Sequence, residues 1–375
     1  MTTQNILPMD ETPDVLAEVR GEVGFITLNR PKALNALSLS MIRALTECLL
    51  AWRDDLAVKA VAIRGSDKTG PFGAFCAGGD IRFFHQAALA DDSRLEDFFT
   101  EEYVLNHLIH TYPKTYIAFM DGIVMGGGMG ISQGAKIRIV TERTKMAMPE
   151  TNIGLFPDVG GGYFLSRCPG RTGEWLALTG EMMGAGEALA FGLADVCVDV
   201  SQLTSAWDAL TRLELGQLGA IDSWIAMYSI ANTGYATRAR GQIDHYFSQP
   251  TVSAIVQALE ADDSAWAQGT ATALRQRSPL MLHVALEQIR RARSLSLADD
   301  LRMERDMVHH CFHPHHLERS GTRSETVEGI RALAVDKDRS PRWNPARIEE
   351  VTAAMVEPFF SSPWTPQTHP LRELS

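Results

Sequence analysis

Phe75-Cys76-Ala77-Gly78-Gly79-Asp80 follows a strand region and opens into a helix at Ile81. A second segment repeats the design. Met125-Gly126-Gly127-Gly128-Met129-Gly130 comes after a strand expected over 116–120 and leads into a helix of small residues. The first N–H groups of a helix have no partner inside it and carry the positive end of its dipole. Two such loops allow two readings. Their glycines permit close helix–sheet packing, or their N–H groups converge to stabilise negative charge developing on a carbonyl oxygen. Neither loop matches the P-loop or dinucleotide-binding glycine patterns, so a phosphate-cradling nucleotide site has no support.

Working outward, strands and helices alternate. Residues 15–19 and 24–29 alternate in polarity around Gly21-Glu22, which predicts a hairpin. Ser38 or Ser40 caps a helix running to about Arg53, with Met41, Leu45, Cys48, Leu49 and Trp52 on one face. Residues 58–64, 136–141 and 194–200 read as strands, and 95–109 as a helix carrying Glu101-Glu102. From about Ser201 glycine thins out and amphipathic runs appear at 207–215, 252–259, 280–293 and 297–311. Ser278-Pro279 opens the third of these with a cap and a proline at the first helical position. The pattern is an α/β core over 1–200, followed by a mainly helical region over 201–375.

Within the core lies Met148-Pro149-Glu150-Thr151-Asn152-Ile153-Gly154-Leu155-Phe156-Pro157-Asp158-Val159-Gly160-Gly161-Gly162. It holds two carboxylates, each directly after a proline, in a run that is otherwise apolar, glycine-rich or small. Ile153, Leu155, Phe156 and Val159 point to burial, and a buried carboxylate is paired, neutral or at work. Glu150 reads as a structural or a catalytic acid. Asp158 has a rival reading as a helix N-cap before Val159-Gly160-Gly161. Glu102 has one as part of a solvated helix face, although in a doublet Glu101 can be the exposed member.

Composition narrows the field. With 375 residues, 45% hydrophobic and 22% charged, the chain can bury a large core. A net charge of −11 excludes broad attraction to nucleic acid or anionic membranes. Five scattered cysteines without a CxxC read as reduced thiols, not as a disulfide framework or zinc site. The polar, acidic N-terminus has no secretory or transit pattern, and the most apolar window, 116–135, is broken by Asp121 and its glycines. The expected location is cytoplasmic. His309-His310, His313 and His315-His316 fit no standard zinc spacing and sit beside a proline, so they read as a surface loop and no metal is expected.

Taken together, these residues resemble the crotonase (enoyl-CoA hydratase/isomerase) superfamily. The resemblance rests on Cys76-Ala77-Gly78-Gly79-Asp80-Ile81, on Asp121-Gly122-Ile123-Val124-Met125-Gly126-Gly127-Gly128, and on Met148-Pro149-Glu150 with Phe156-Pro157-Asp158-Val159-Gly160-Gly161. Glu101-Glu102-Tyr103-Val104-Leu105-Asn106, Glu328-Gly329-Ile330-Arg331-Ala332 and the run from Asp336 to Trp343 are most similar to its 3-hydroxyisobutyryl-CoA hydrolase branch. The resemblance implies a ββα superhelix with C-terminal helices covering the site. It implies a short 3-hydroxyacyl-CoA substrate, no separate cofactor beyond the CoA of that substrate, and association as trimers or hexamers. It assigns the oxyanion donors to Gly79 and Gly127, the CoA site to Lys32, Ala33, Leu34 and Ala77, and catalysis to Glu150, Asp158 and Glu102. Gly130 stands where hydratases carry a second glutamate, which disfavours hydration. A 3-hydroxyisobutyryl substrate would imply valine catabolism. An enoyl- or dienoyl-CoA isomerase and a non-catalytic CoA- or RNA-binding relative are the alternatives.

Overall fold

Gly21 adopts φ 60°, the left-handed conformation that reverses the chain between β1 (Val15–Arg20) and β2 (Val23–Leu28). The two strands pair antiparallel, with Val15 opposite Leu28. The computed structural model describes residues 13–230 and 240–375. From β2 onward the large sheet is parallel. It adds β3 (Ala60–Gly65), β5 (Thr115–Met120), β7 (Ile137–Val140) and β9 (Val196–Cys197), in the order β1-β2-β3-β5-β7-β9. A smaller parallel sheet holds β4 (Ala74–Cys76), β6 (Ile123–Met125) and β8 (Lys145–Ala147). From β3 onward, successive strands thus go alternately to the large sheet and to the small one. This is the ββα winding that the resemblance implied.

Helices close each turn. They are α1 (Leu39–Asp54), α2 (Ile81–Ala90), α3 (Arg94–His110), α4 (Gly127–Gln133), α5 (Gly161–Ser166), α6 (Thr172–Thr179) and α7 (Ala185–Ala190). Ser38 caps α1 by accepting from the N–H of Met41, and the helix buries Met41, Ile42, Leu45 and Leu49. Asp80 caps α2 in the same way through Phe83. The strand expected over 194–200 is only two residues long. Asp195 turns its carboxylate onto the Arg138 N–H, and Asp199 caps a 3-10 turn, Val200–Gln202, that ends the extended backbone.

Beyond β9 the chain is helical, as expected: α8 (Leu203–Ala209), α9 (Ala220–Tyr228), α10 (Arg240–Phe247), α11 (Val252–Glu260), α12 (Ala265–Gln276), α13 (Pro279–Ala292), α14 (Leu297–Phe312), α15 (Glu325–Ile330) and α16 (Ala353–Val356). Packing continues across residue 200. Trp207 of α8 lies edge-on to Phe25 and Phe119 on the outer face of the large sheet, with ring centroids 4.8 and 5.1 Å away. Replacing Trp207 with alanine should therefore cost about 3–5 kcal/mol, read from urea unfolding. On the opposite side α13 packs on α5 and α6, α14 on α3, and α15 on α2 and the Glu150 turn. Among the described residues no helix is long and apolar enough to cross a membrane.

Candidate active site

Strands β4, β6 and β8 run parallel, so their C-terminal ends emerge side by side. The first delivers Gly78-Gly79, the second Gly126-Gly127, and the third a 3-10 turn, Glu150–Ile153. Gly78 and Gly126 take φ of 109° and 47°. These conformations are strained for side chains other than glycine, and they bring the two loops against one another. A Cβ placed on Gly127 would lie 3.4 Å from the Gly79 nitrogen and 2.5 Å from Glu102 Oε1. Among the described residues the N–H groups of Gly79 and Gly127 donate to no other group. The two loops therefore pack against one another, beside Glu102.

The three predicted acids meet there. Glu150, Asp158 and Glu102 are 6%, 5% and 2% exposed, and all three line one cleft of about 840 Å³ together with both glycine loops. Glu150 Oε1 would lie 2.8 Å from a Cβ on Gly126, and its Oε2 is buried without a hydrogen-bond partner. Glu102 Oε1 is orphaned in the same way. Asp158 accepts a 2.9 Å hydrogen bond from the Tyr103 hydroxyl. Burial, followed by the neighbouring acids, pushes the Glu102 and Glu150 carboxyls well above their usual range. Burial also raises Asp158 to about 7, against the opposing pull of Tyr103. Buried acids with unsatisfied oxygens, packed together in a cleft, are groups shaped for proton transfer or nucleophilic work.

The rival readings resolve by position. Glu101 is the outward member of the doublet and binds Arg43 through two hydrogen bonds of 2.8 and 2.6 Å. Asp158 does not cap α5. Val159 and Gly160 take φ of 57° and 86°, which separates the aspartate from the helix, and the free N–H groups are taken by acids of α14. Gly130 is closed to a larger side chain, since a Cβ there would meet Val159 Cβ at 2.7 Å and Asn106 Nδ2 at 2.9 Å. A Gly130→Glu variant should lose about 1–3 kcal/mol to overpacking, and it should gain no alkene hydration when assayed with an enoyl-CoA.

Ala77 lines the cleft, whereas Lys32, Ala33 and Leu34 do not. Lys32 is exposed, and the segment flanks the site through the hydrogen bond from the Ala77 N–H to the Leu34 carbonyl, 3.0 Å. The expected histidine loop needs correction. His309 and His310 occupy the last turn of α14, His313 is its C-cap, and only His315 and His316 lie in the turn beyond. Glu96 Oε1 stands 3.3 Å from His309 Nδ1 and 3.0 Å from His313 Nε2, while Arg305 holds the other oxygen. Burial works against the Glu96 anion, yet these three partners hold its carboxyl well below the usual range. Glu96, His309 and His313 bring their ligand atoms within 4.8 Å of one another, a grouping that could also hold a metal ion.

Sequence reading missed several residues of the cleft. Arg275 and Arg277 went unassigned, while Arg339 and Trp343 were quoted only as part of a similar run, as was Tyr103, which meets Asp158 beside the cleft. The one available signal was the buried register of α3, which puts Tyr103 beside Glu102 on the core side. The arginines come from α12 and from the C-terminal segment, far in sequence from the glycine loops.

A family model described as enoyl-CoA hydratase/isomerase matches residues 23–360. The chain is 38% identical over 357 residues to the mitochondrial 3-hydroxyisobutyryl-CoA hydrolase of Gallus gallus, covering 94% of this chain and 89% of that protein. It is 39% identical over 360 residues to 3-hydroxyisobutyryl-CoA hydrolase 1 of Arabidopsis thaliana, covering 94% and 92%. The crystal structure of a carnitinyl-CoA dehydratase from Mycobacterium thermoresistibile superposes with a TM-score of 0.84 at 39% identity, covering 95% of this chain and 98% of the other.

Proposed function

Because the chain belongs to the enoyl-CoA hydratase/isomerase family, we propose that its cleft hydrolyses a short 3-hydroxyacyl-CoA thioester of the 3-hydroxyisobutyryl kind to the free acid and CoA. The enzyme is an acyl-CoA thioester hydrolase, as the chicken and Arabidopsis relatives are by name. One observation carries the assignment of chemistry. Two unpartnered backbone donors stand beside buried acids, while the Gly130 position, from which a second hydration glutamate would act, is walled off by Val159 and Asn106.

In this reading the thioester oxygen lies against the Gly79 and Gly127 N–H groups. Glu150 takes a proton from water as the new C–O bond forms, and negative charge collects on the carbonyl oxygen. That charge returns as the C–S bond breaks, and the CoA sulfur leaves with the proton from Glu150. In the other course open to the same residues, Glu150 attacks the carbonyl carbon itself, the C–S bond breaks and CoA leaves as its thiolate, and water then opens the mixed anhydride to the free acid and returns the Glu150 carboxylate. Asp158 binds the 3-hydroxyl or positions the water, and Glu102 tunes the other two acids. Arg275, Arg277 and Arg339 border the cleft; Arg275 is paired with Glu260 and Glu349, which leaves Arg277 and Arg339 as the cations that suit the phosphates of CoA in a chain of net charge −11. No cofactor beyond that CoA enters the scheme. A place in valine catabolism, assembly as a trimer or hexamer, and residence in the cytoplasm with all five cysteines as free thiols complete the proposal. The chicken relative is named as mitochondrial, so fractionation of cells expressing the full chain is the check on location.

The deciding experiment follows thiol release from 3-hydroxyisobutyryl-CoA and 3-hydroxypropionyl-CoA beside isobutyryl-CoA and propionyl-CoA. Release is expected from the hydroxylated pair and should be slower by at least about tenfold without the hydroxyl, because a site built to bind that group is left with unpaired polar atoms. Hydration or isomerisation of an enoyl-CoA with no free thiol would overturn the hydrolase assignment.

A further inference from the structure

Asp158 leads directly into a backbone turn that the chain would not hold by itself. Val159, a β-branched residue, takes φ 57°, and Gly160 follows at 86°. A left-handed residue of that type costs roughly 1–2 kcal/mol, so something must over-determine the turn. The holding groups come from α13 and α14. Glu304 accepts from the N–H of Gly160 at 2.7 Å and from that of Gly162 at 2.9 Å. Asp300, one turn earlier on the same face of α14, accepts from the Tyr163 N–H at 2.8 Å. Gln288 of α13 donates both to the Pro157 carbonyl, 2.7 Å, and to Glu304, 3.0 Å. The side chains therefore grip the chain on both sides of Asp158, from Pro157 to Tyr163.

All three gripping side chains are fully buried. Packing alone does not explain acids there. Two buried carboxyls with no cation among their described hydrogen-bond partners are costly, and an aliphatic pair would fill the volume more cheaply. What acids supply and aliphatic groups do not is a fixed set of acceptors for the N–H groups of a strained turn. Space leaves them little alternative placement, since a Cβ on Gly162 would come within 2.4 Å of Asp300 Oδ1.

We propose that Glu304, with Gln288 and Asp300, is a positioning residue for the thioester reaction: it holds the 157–163 turn so that the Asp158 carboxylate meets the Tyr103 hydroxyl and faces the substrate. This rests on the reading of Asp158 as a working acid. Glu304 touches neither substrate nor reacting atoms in this scheme, and it acts only through that turn.

The test is a double-mutant cycle on the full-length enzyme, with kcat and KM for 3-hydroxyisobutyryl-CoA and the folded fraction read from thermal melts. Glu304→Ala should lower kcat by about 10²-fold with KM little changed, the size of effect expected when a working group is misplaced by an ångström or so. Combined with Asp158→Asn it should add almost nothing, because the group it positions is gone. Gln288→Ala, which leaves Glu304 and its acceptors in place, should show a smaller loss of the same kind and serves as the readout if Glu304→Ala folds poorly. A kcat within about twofold of the parent for both single variants, beside an inactive Asp158→Asn, overturns the brace and leaves the Asp158 assignment standing. Losses that multiply in the double variant overturn it too. Parental activity in Asp158→Asn itself removes the working role of Asp158, and the brace falls with it.

Discussion

Replacing Glu150 with glutamine is expected to lower kcat for thioester hydrolysis by about 10³-fold or more, with KM changed little. The substitution keeps the side chain's volume in a site that is 6% exposed, so the fold should persist. What disappears is the basic oxygen. Glu150 emerges at the end of β8, next to Gly126, with one carboxylate oxygen making no hydrogen bond. Whether that oxygen takes a proton from water or attacks the carbonyl, an amide oxygen can do neither at a useful rate. Because burial and the neighbouring Asp158 push the Glu150 carboxyl up, the parental rate should also rise with pH as this group ionises. Stopped-flow detection of free thiol across a pH series checks both points. Release at the parental rate by Glu150→Gln would remove Glu150 from the mechanism.

Replacing Asp158 with asparagine should separate activity from stability. Hydrolysis should fall by about 10²-fold or more, as expected when a positioned acid or base is lost, yet the protein should tolerate alkaline conditions better than its parent. The sign follows from the raised carboxyl. Burial moves Asp158 from 3.8 to about 7 in the folded state, so the folded protein holds its proton more tightly than the unfolded chain does. The associated stability is complete below the unfolded value and is lost as pH rises through the folded one. Asparagine cannot ionise and has no such loss. Relative to the parent, the variant should therefore gain up to roughly 4 kcal/mol between pH 4 and pH 8. Urea unfolding at the two ends of that range measures the difference, and a flat difference would show that Asp158 does not titrate as its surroundings dictate.

The two glycine loops were legible because few residue types tolerate the backbone angles at Gly78 and Gly126. Their context was not. Strands β4, β6 and β8 are three residues each, too short for an alternating pattern to register, so the small sheet that aligns the loops left no trace. Among the acids, Glu150 was readable from its apolar surroundings. Glu102 was separable from Glu101 only through the register of α3. Asp158 looked like a cap because the true capping acid, Glu304, lies 144 residues beyond Gly160 in the chain, and no local pattern reports so distant a partner. The same distance hid the arginine margin of the cleft. The histidine run was misread as a loop because Pro314 drew attention to a break, while α14 continues through Phe312 and uses His309 and His313 to hold Glu96 of α3.

The glycine loops and two of the three acids ride on separate supports, while Glu150 follows β8 of the small sheet itself. Gly79 and Gly127 belong to the small sheet and the helix starts that follow it, whereas Glu102 comes from α3 and Asp158 from a turn gripped by α13 and α14. An acid carried on a surrounding helix can be moved without disturbing the loops at the ends of the small sheet. Gly130 and Glu102 illustrate the trade within this chain. Space on α4 is surrendered to Val159 and Asn106, while a carboxylate enters the same cleft from α3. The sheets fix the loops, and the surrounding helices decide which further acids reach the cleft.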